Sequence, residues 1–578
     1  MSDDLRSTAL LAALMGGVLV TRLLKGYLDD YLTERRAKQL YADKREEVEK
    51  ARRAAYERVQ RYSDDELTQK DARELLDALK RGETSAVRTV RAFLSKALTV
   101  SEELNCVVEP IKEAEATAAE LDKQFSDSGK SSDGLGQLHG IPISLKESID
   151  VKGYDSTMGL GKFCFHPAEE DAVIVQVIKK QGGIPFVKTN VPQCLFTMEC
   201  SNPIFGETLG PIRPDRSCGG STGGEAALLA RHGSPLGIGT DVAGSIRFPS
   251  HFSGICGLKV TQNRLSLRGF VSSFGGQVGV ARTNGPMARD VDGLALLMRA
   301  LLVPEMWRLD PLVPPMPFRE DIYGSAERLR IGYYDFDGLL RASPACSRAV
   351  AVAKDALTSA GHKLVPLDHP PAFNLCLLYF ENFCADGGSN FVNLLSGEVV
   401  DSTLESIRKF LLVPPFLKYL YRAFKKGYDS HRIVTLMNAS EPLSACGYMN
   451  LQKCRQSYIQ VVLDQWSKAD VDAVICPVSA IPAPILKQSS KISAASCYSL
   501  IYSILNFPAG VVPVTTVTED DEENLKSRKW RIDDAWDEAV REVSLGAEGL
   551  PVGVQIVARP WQEEMCLRVM KDIEANVK

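Results

Sequence analysis

The chain has 578 residues, 45% hydrophobic and 24% charged, with a net charge of −5. This is ordinary globular composition with material for a large core. The mildly acidic balance excludes the basic footprint of a nucleic-acid binder, and fourteen cysteines without CxxC pairs exclude a zinc site and a disulfide scaffold and fit a reducing compartment.

The first predicted element is apolar. Thr8–Leu24 contains an unbroken apolar run, Ala9–Val20, bordered by Arg6 and Arg22. A full span needs about 20 residues; Leu23 and Leu24, with Arg22 snorkelling, extend the run far enough. A cleaved signal peptide is the alternative, but the segment lacks a small-x-small site followed by a polar start. Arg22, Lys25, Arg35, Arg36 and Lys38 follow the run, and only Arg6 and the amino terminus precede it. The positive-inside rule then places the rest of the chain in the cytosol, and residues 1–27 are expected to form a transmembrane anchor.

Residues 28–100 are rich in Glu, Lys, Arg and Ala and predict helix. Their charge reads as a solvated face, and Arg81-Gly82 separates two amphipathic helices. From about residue 101 the texture changes. Short β-rich runs such as GIPISLK, GGIPFVKTN, RLRIGYYDF and VDAVICPV alternate with helical stretches such as DAVIVQVIKKQ and DVDGLALLMRALL. That alternation predicts an α/β fold around one sizeable sheet. The polar stretch 518–542 predicts a surface insertion or helix.

Residues 219–249, GGSTGGEAALLARHGSPLGIGTDVAGSIRFP, are dense in glycine and serine. A linker is excluded by the apolar AALLA and PLGIG between the glycines. A phosphate loop needs lysine where GGSTGGE has Glu225. What remains is acyl transfer. Consecutive N–H groups of Val242, Ala243 and Gly244 can converge on one oxygen, and Ser245 can attack the carbonyl they hold. Such a serine needs a base. In GIPISLKESIDVKG, alternation puts Ile141, Ile143 and Leu145 on one side and Pro142, Ser144 and Lys146 on the other. Lys146 reads as a surface lysine at a strand end, or as a desolvated lysine whose lowered pKa makes it a general base.

The three motifs GIPISLKESIDVKG, GGSTGGEAA and GTDVAGSIRFPSHFSGICGLKVT together, in this order and spacing, resemble the amidase signature family. From about residue 100 onward, TNVPQCLFTMECSNPIFGET, NGPMARDVDGLALLMRALL and LPVGVQIVARPWQEE are similar to the animal branch of that family that acts on fatty acid amides. The resemblance implies one catalytic domain over 101–578, a mixed twisted sheet enclosed by helices. It implies a triad of Lys146, Ser221 as bridging serine and Ser245 as nucleophile, with no cofactor and no metal. Two departures stand out: Ala243 where the family often has glycine, and Thr222 where it has serine.

QCLFTMEC offers Leu195 and Phe196, which read as core packing from the residues alone and as walls of the acyl pocket from the resemblance. In SIRKFLLVPPFLKYLYRAFKKGY, Pro414-Pro415 splits two short helices. Phe416, Leu417, Leu420, Tyr421 and Phe424 share one face of the second, opposite Lys418, Arg422, Lys425 and Lys426. This describes either an ordinary surface helix or one lying in a membrane interface; the resemblance implies the latter, a membrane cap over about 404–430. It further implies a lipid amide substrate, an endomembrane location such as the endoplasmic reticulum, and a homodimer. The rivals are an enzyme for small polar amides and an inactive membrane scaffold.

Overall fold

A computed structural model describes residues 32–577, except 130, 132–133, 274, 281, 414–416, 419–431, 433–434, 436–438 and 528–529. The predicted anchor therefore lies outside the described residues. Among the described residues, no helix is long and apolar enough to cross a membrane.

Thirteen strands are described. In chain order they are β1 (Val107–Pro110), β2 (Pro142–Lys146), β3 (Ile184–Thr189), β4 (Ser201–Asn202), β5 (Gly206–Glu207), β6 (Leu236–Asp241), β7 (Cys256–Lys259), β8 (Thr283–Ala288), β9 (Arg330–Tyr333), β10 (Lys363–Pro366), β11 (Ala473–Pro477), β12 (Ala509–Thr516) and β13 (Pro551–Ala558). Eleven of them form one sheet in the order β1-β3-β2-β6-β8-β7-β12-β13-β11-β9-β10, while β4 and β5 make a separate hairpin. The sheet is mixed: β3, β2 and β6 run parallel, the strands from β6 to β11 pair antiparallel, and β11, β9 and β10 are parallel again.

Helices cover the sheet because its central strands are apolar on both faces. Every residue of β2, β3, β6, β7 and β8 is buried. That pattern is expected where crossover helices lie on each side. The alternation read in GIPISLK is therefore real in the pleat but does not separate core from solvent: Ser144 and Lys146 are as buried as Ile143 and Leu145.

The predicted N-terminal helical region begins with a helix over 32–59, followed by Asp65–Gln69, Ala72–Lys80 and Ala86–Leu104. The break between the last two falls at Arg81 and Gly82, where Gly82 takes φ +69°, and Asp71 and Ser85 cap the two helices. Leu75, Val90 and Phe93 enter the same core as the sheet strands. The stretch 518–542 holds one short helix, Glu519–Lys526, and most of a second, Ala535–Ser544. It is anchored rather than loose, since Asp521 is buried and pairs with Arg348 at 2.7 Å.

Candidate active site

The parallel run β3-β2-β6 places the carboxyl ends of three strands at one edge of the sheet, where open α/β sheets present their ligand crevices. Lys146 is the last residue of β2. The segment after β3 leads to Leu195 and Phe196, and the segment after β6 carries Val242, Ala243, Gly244 and Ser245. A loop ending at Ser221 enters from the helix Gly223–Ala230 that precedes β6. Residues read far apart in the sequence thus meet because of strand order.

Lys146 is fully buried, and its Nζ donates to three hydroxyl oxygens: Ser221 Oγ at 2.7 Å, Thr240 Oγ1 at 2.8 Å and Thr222 Oγ1 at 2.9 Å. Burial disfavours the ammonium and pulls its pKa down to about 7, against the smaller opposing pull of nearby acidic groups. Thr222 in turn donates to Thr240 O at 3.2 Å, so its hydrogen is committed to that carbonyl. When Lys146 is neutral it has two hydrogens and one lone pair. The hydrogen that the lone pair accepts must then come from Ser221 or Thr240. Threonine at 222 keeps the hydroxyl that serine would supply, and that hydroxyl meets Lys146.

The Ser221 loop is built by close backbone approach. A Cβ on Gly220 would come within 2.3 Å of Thr197 O and 2.5 Å of Glu199 O. The Gly220–Ser221 peptide is cis, and Thr222 N donates to Ser245 O at 3.1 Å, tying the two serine loops together.

The Ser245 loop is held by a buried ion pair that the sequence reading did not find. Asp241 accepts from Gly244 N at 2.8 Å, Ile246 N at 3.0 Å and Arg247 Nε at 3.1 Å, and Arg247 Nη2 reaches its other oxygen at 2.9 Å. Arg247 also donates to Ser499 O, Gln555 Oε1 and Ser503 Oγ. Removing one partner of such a pair costs about 3–5 kcal/mol. The guanidinium beside it holds the Asp241 carboxyl below the usual range despite burial. Gly244 takes φ +131°, and a Cβ there would lie 2.3 Å from the Phe248 ring. Ala243 is not among the positive-φ residues, so its methyl is accommodated. The Gly244 N–H is engaged by Asp241, whereas Val242 and Ala243 lie on a cavity wall.

That cavity, of about 420 Å³, is lined by Ser221 and Ser245 together with Leu195 and Phe196. Its remaining wall is largely apolar, with Tyr379, Phe380 and Phe383 from the helix Ala372–Phe383 and Leu404, Ile407 and Phe410 from 404–412. Phe196 stacks on Phe383 with ring centroids 5.3 Å apart. No histidine lines it among the described residues. Sequence reasoning missed the 372–383 aromatics, although three aromatics within five positions of AFNLCLLYFENF were a visible signal.

Of the predicted membrane-facing residues, Phe416, Leu420, Tyr421 and Phe424 lie outside the described residues. Leu417 is 43% exposed, while its neighbour Lys418, read as part of the polar face, is only 6% exposed, with Nζ 5.0 Å from the centre of the Phe410 ring.

The family model for Amidase matches residues 88–567. The chain belongs to the amidase family. It is 44% identical to fatty-acid amide hydrolase 1 of Sus scrofa over 504 residues, covering 87% of this chain and 84% of that protein. It is 37% identical to fatty acid amide hydrolase 1 of Caenorhabditis elegans, covering 92% of each. A solved fatty acid amide hydrolase superposes with a TM-score of 0.78 at 26% identity, covering 93% of this chain and 95% of that one. The chain is an amide hydrolase with an amidase-signature α/β fold, a large mixed sheet surrounded by helices.

Proposed function

We propose that this amidase hydrolyses long-chain fatty acid amides, N-acylethanolamines and primary amides among them, at a membrane surface. The observation that carries the reading is a wholly buried Lys146, 2.7 Å from Ser221, beside an aromatic-walled cavity that Ser221 and Ser245 share. The wall favours a lipid acyl chain over a small polar amide, because burying a chain contributes about 0.8 kcal/mol per CH₂.

In this reading neutral Lys146 takes the Ser221 proton as Ser221 takes that of Ser245, and Ser245 Oγ attacks the scissile carbonyl. The N–H groups of Val242 and Ala243 receive the developing oxyanion. Gly244, with its N–H held by Asp241, serves by its backbone shape. The relay then returns the proton to the leaving amine, and water releases the fatty acid from the acyl-enzyme. An irreversible serine acylator followed by peptide mass spectrometry should place the adduct on Ser245; an adduct on Ser221 overturns the assignment, and no adduct at all favours an inactive scaffold.

Residues 1–27 act in this proposal as the anchor, and 101–578 as the catalytic domain. The 404–430 segment acts as a membrane cap. Leu404, Ile407 and Phe410 support it, since the helix that leads into the cap also walls the cavity. Exposed Leu412 and Leu417 support it too. A chain lacking residues 1–27 should still float with liposomes, reversibly and in part; complete loss of flotation removes the cap. The family resemblance adds a homodimer and an endomembrane location to the proposal.

A further inference from the structure

The helix Gly223–Ala230 begins beside Thr222, one of the three hydroxyls on Lys146, and its third residue is Glu225. Glu225 reaches the sheet on the face that carries Lys146. Its partners there are Ser144, two residues before Lys146 on β2, and Thr189, the β3 residue that pairs with Lys146. Glu225, Ser144, Thr189 and Ser234 are all wholly buried. Gly237, the β6 partner of Ser144, leaves the space that the carboxyl fills: a Cβ there would lie 2.0 Å from Glu225 Oε1.

The hydrogens in this niche can be counted. Ser234 Oγ donates to Leu236 O at 2.8 Å, Ser144 Oγ lies 2.9 Å from Ser234 Oγ, and Ser144 Oγ also meets Glu225 Oε1. Those three contacts need three hydrogens, and the two serines supply one each. The third has to sit on Glu225. At the other carboxyl oxygen Thr189 Oγ1 donates at 2.8 Å and brings its own hydrogen. Two further carboxyl groups act on Lys146. Asp241 is met by Arg247 and backbone N–H groups, and Glu147 by Thr157 Oγ1 and the N–H groups of Thr157 and Met158. Glu225 is met by hydroxyls alone among the described residues.

Burial pushes the Glu225 carboxyl up to about 8, against the pull of the two hydroxyls and of Lys146, the one charge that acts on it. The other titratable groups on elements packed against it have their own partners. Lys188 of β3 donates to Asp155 O and Ser156 Oγ, and Glu109 of β1 faces Lys44 and Lys188. His251 bonds Ile481 O and Gly553 N, and Arg88, Arg91 and Lys96 of the helix Ala86–Leu104 pair with Asp64, Glu115 and Asp65. Cys106 and Cys200 are buried thiols.

We propose that Glu225 is a positioning residue for Lys146 that works as an uncharged acid: its hydrogen completes the row of hydroxyls that fixes β2 and β3 around the lysine, and no carboxylate remains there to hold the lysine as an ammonium. This rests on the reading of Lys146 as the base. An ionised Glu225 would favour the ammonium and leave the row one hydrogen short.

The experiment uses the full chain in detergent, as wild type, Glu225→Gln and Glu225→Met, with the oleoyl amide of ethanolamine as substrate. The infrared difference between wild type and Glu225→Gln at pH 7 should contain the carbonyl stretch of a protonated carboxylic acid; exposed acids are ionised at that pH and cancel. Methionine can neither donate to Ser144 nor accept from Thr189. In that variant kcat should fall about 10- to 100-fold with KM little changed, since misplacing a reacting group by about 1 Å costs about 10²-fold. Glutamine is neutral and can do both, so it should recover most of the loss and keep the acid-limb inflection of amide kcat/KM at its wild-type pH. The band and the inflection decide the matter even where the Met variant does not fold. A carboxylate band in place of the acid band overturns the proposal. So does an inflection that moves to lower pH in the Gln variant, the sign expected when a negative charge is taken from beside an ammonium, and so do equal losses in the Gln and Met variants. Each of these results leaves the fatty acid amide reading standing. A wild type that fails to hydrolyse the amide, or does so with no inflection near pH 7, removes the Lys146 reading and the Glu225 proposal together.

Discussion

Lys146 and Lys259 are both wholly buried, both end a strand, and both have pKa values pulled down to about 7 by burial. Their partners differ. Lys146 Nζ meets three hydroxyls, Ser221, Thr222 and Thr240. Lys259 Nζ meets two backbone carbonyls, Phe507 O at 2.9 Å and Val260 O at 3.4 Å. A hydroxyl can surrender a proton to a neutral amine; a carbonyl has none to give. Desolvation makes either lysine available as a base, and only the Lys146 neighbourhood contains something to deprotonate. A perturbed pKa is thus a property of burial, and chemistry is decided by what the group touches.

The sharpest way to break this comparison is to remove each amine. Lys146→Ala should lower amide hydrolysis by about 10²–10⁴-fold, the usual worth of a positioned acid–base group. Matched ester hydrolysis should fall less, because an alkoxide leaves without the proton an amine requires. Lys259→Met should keep amide hydrolysis within about tenfold of wild type, the cost being one of stability. Rates on matched oleoyl amide and methyl ester check both statements. Equal losses on amide and ester in Lys146→Ala, with acylation rate-limiting for both, sink the dual acid–base role.

A second test reads the protonation state. Because Lys146 must be neutral to accept a proton, amide kcat/KM should rise about tenfold per pH unit below about 7 and level off above it. Lys259→Met should leave the inflection in place. A shift of the inflection in that variant would mean the two lysines are coupled, which their different partner sets argue against.

Much of this site was legible in the chain. Lys146, Ser221 and Ser245 are marked by motifs whose joint order is specific, and the break at Arg81-Gly82 and the strands in GIPISLK, GGIPFVKTN and VDAVICPV follow from local chemistry. What was not legible depends on strand order. Nothing in SIRFP marks Arg247 as buried, yet it is fully buried on Asp241 because the helix Arg247–Ser253 is enclosed along its length. Likewise Lys259 in GLKVT has the same apolar-then-lysine texture as Lys146 in ISLKES, and no local pattern says which lysine meets hydroxyls.

The smallest expected effect concerns stability, and it isolates the non-catalytic lysine. Unfolded, Lys259 titrates near 10.4; folded, near 7. Between those values the unfolded chain holds one more proton than the folded one, so wild-type stability rises with pH across that window. Below about pH 7 both states hold the proton and the dependence ends. The slope in mid-window is at most about 1.4 kcal/mol per pH unit. Lys259→Met removes this group's share of the slope, at the cost of leaving two carbonyls without a donor, about 1–3 kcal/mol. Relative to wild type the variant should therefore fare better at pH 7.5 than at pH 9.5. A chain of this length shifts its Tm by only about 1 °C per kcal/mol, so denaturant midpoints at the two pH values are the better readout. An identical difference between variant and wild type at both would mean that Lys259 keeps its proton in the folded chain, and that carbonyl partners alone hold a buried ammonium charged. In that case the three hydroxyls around Lys146 would have to be credited with lowering its pKa as well as with supplying the proton it takes.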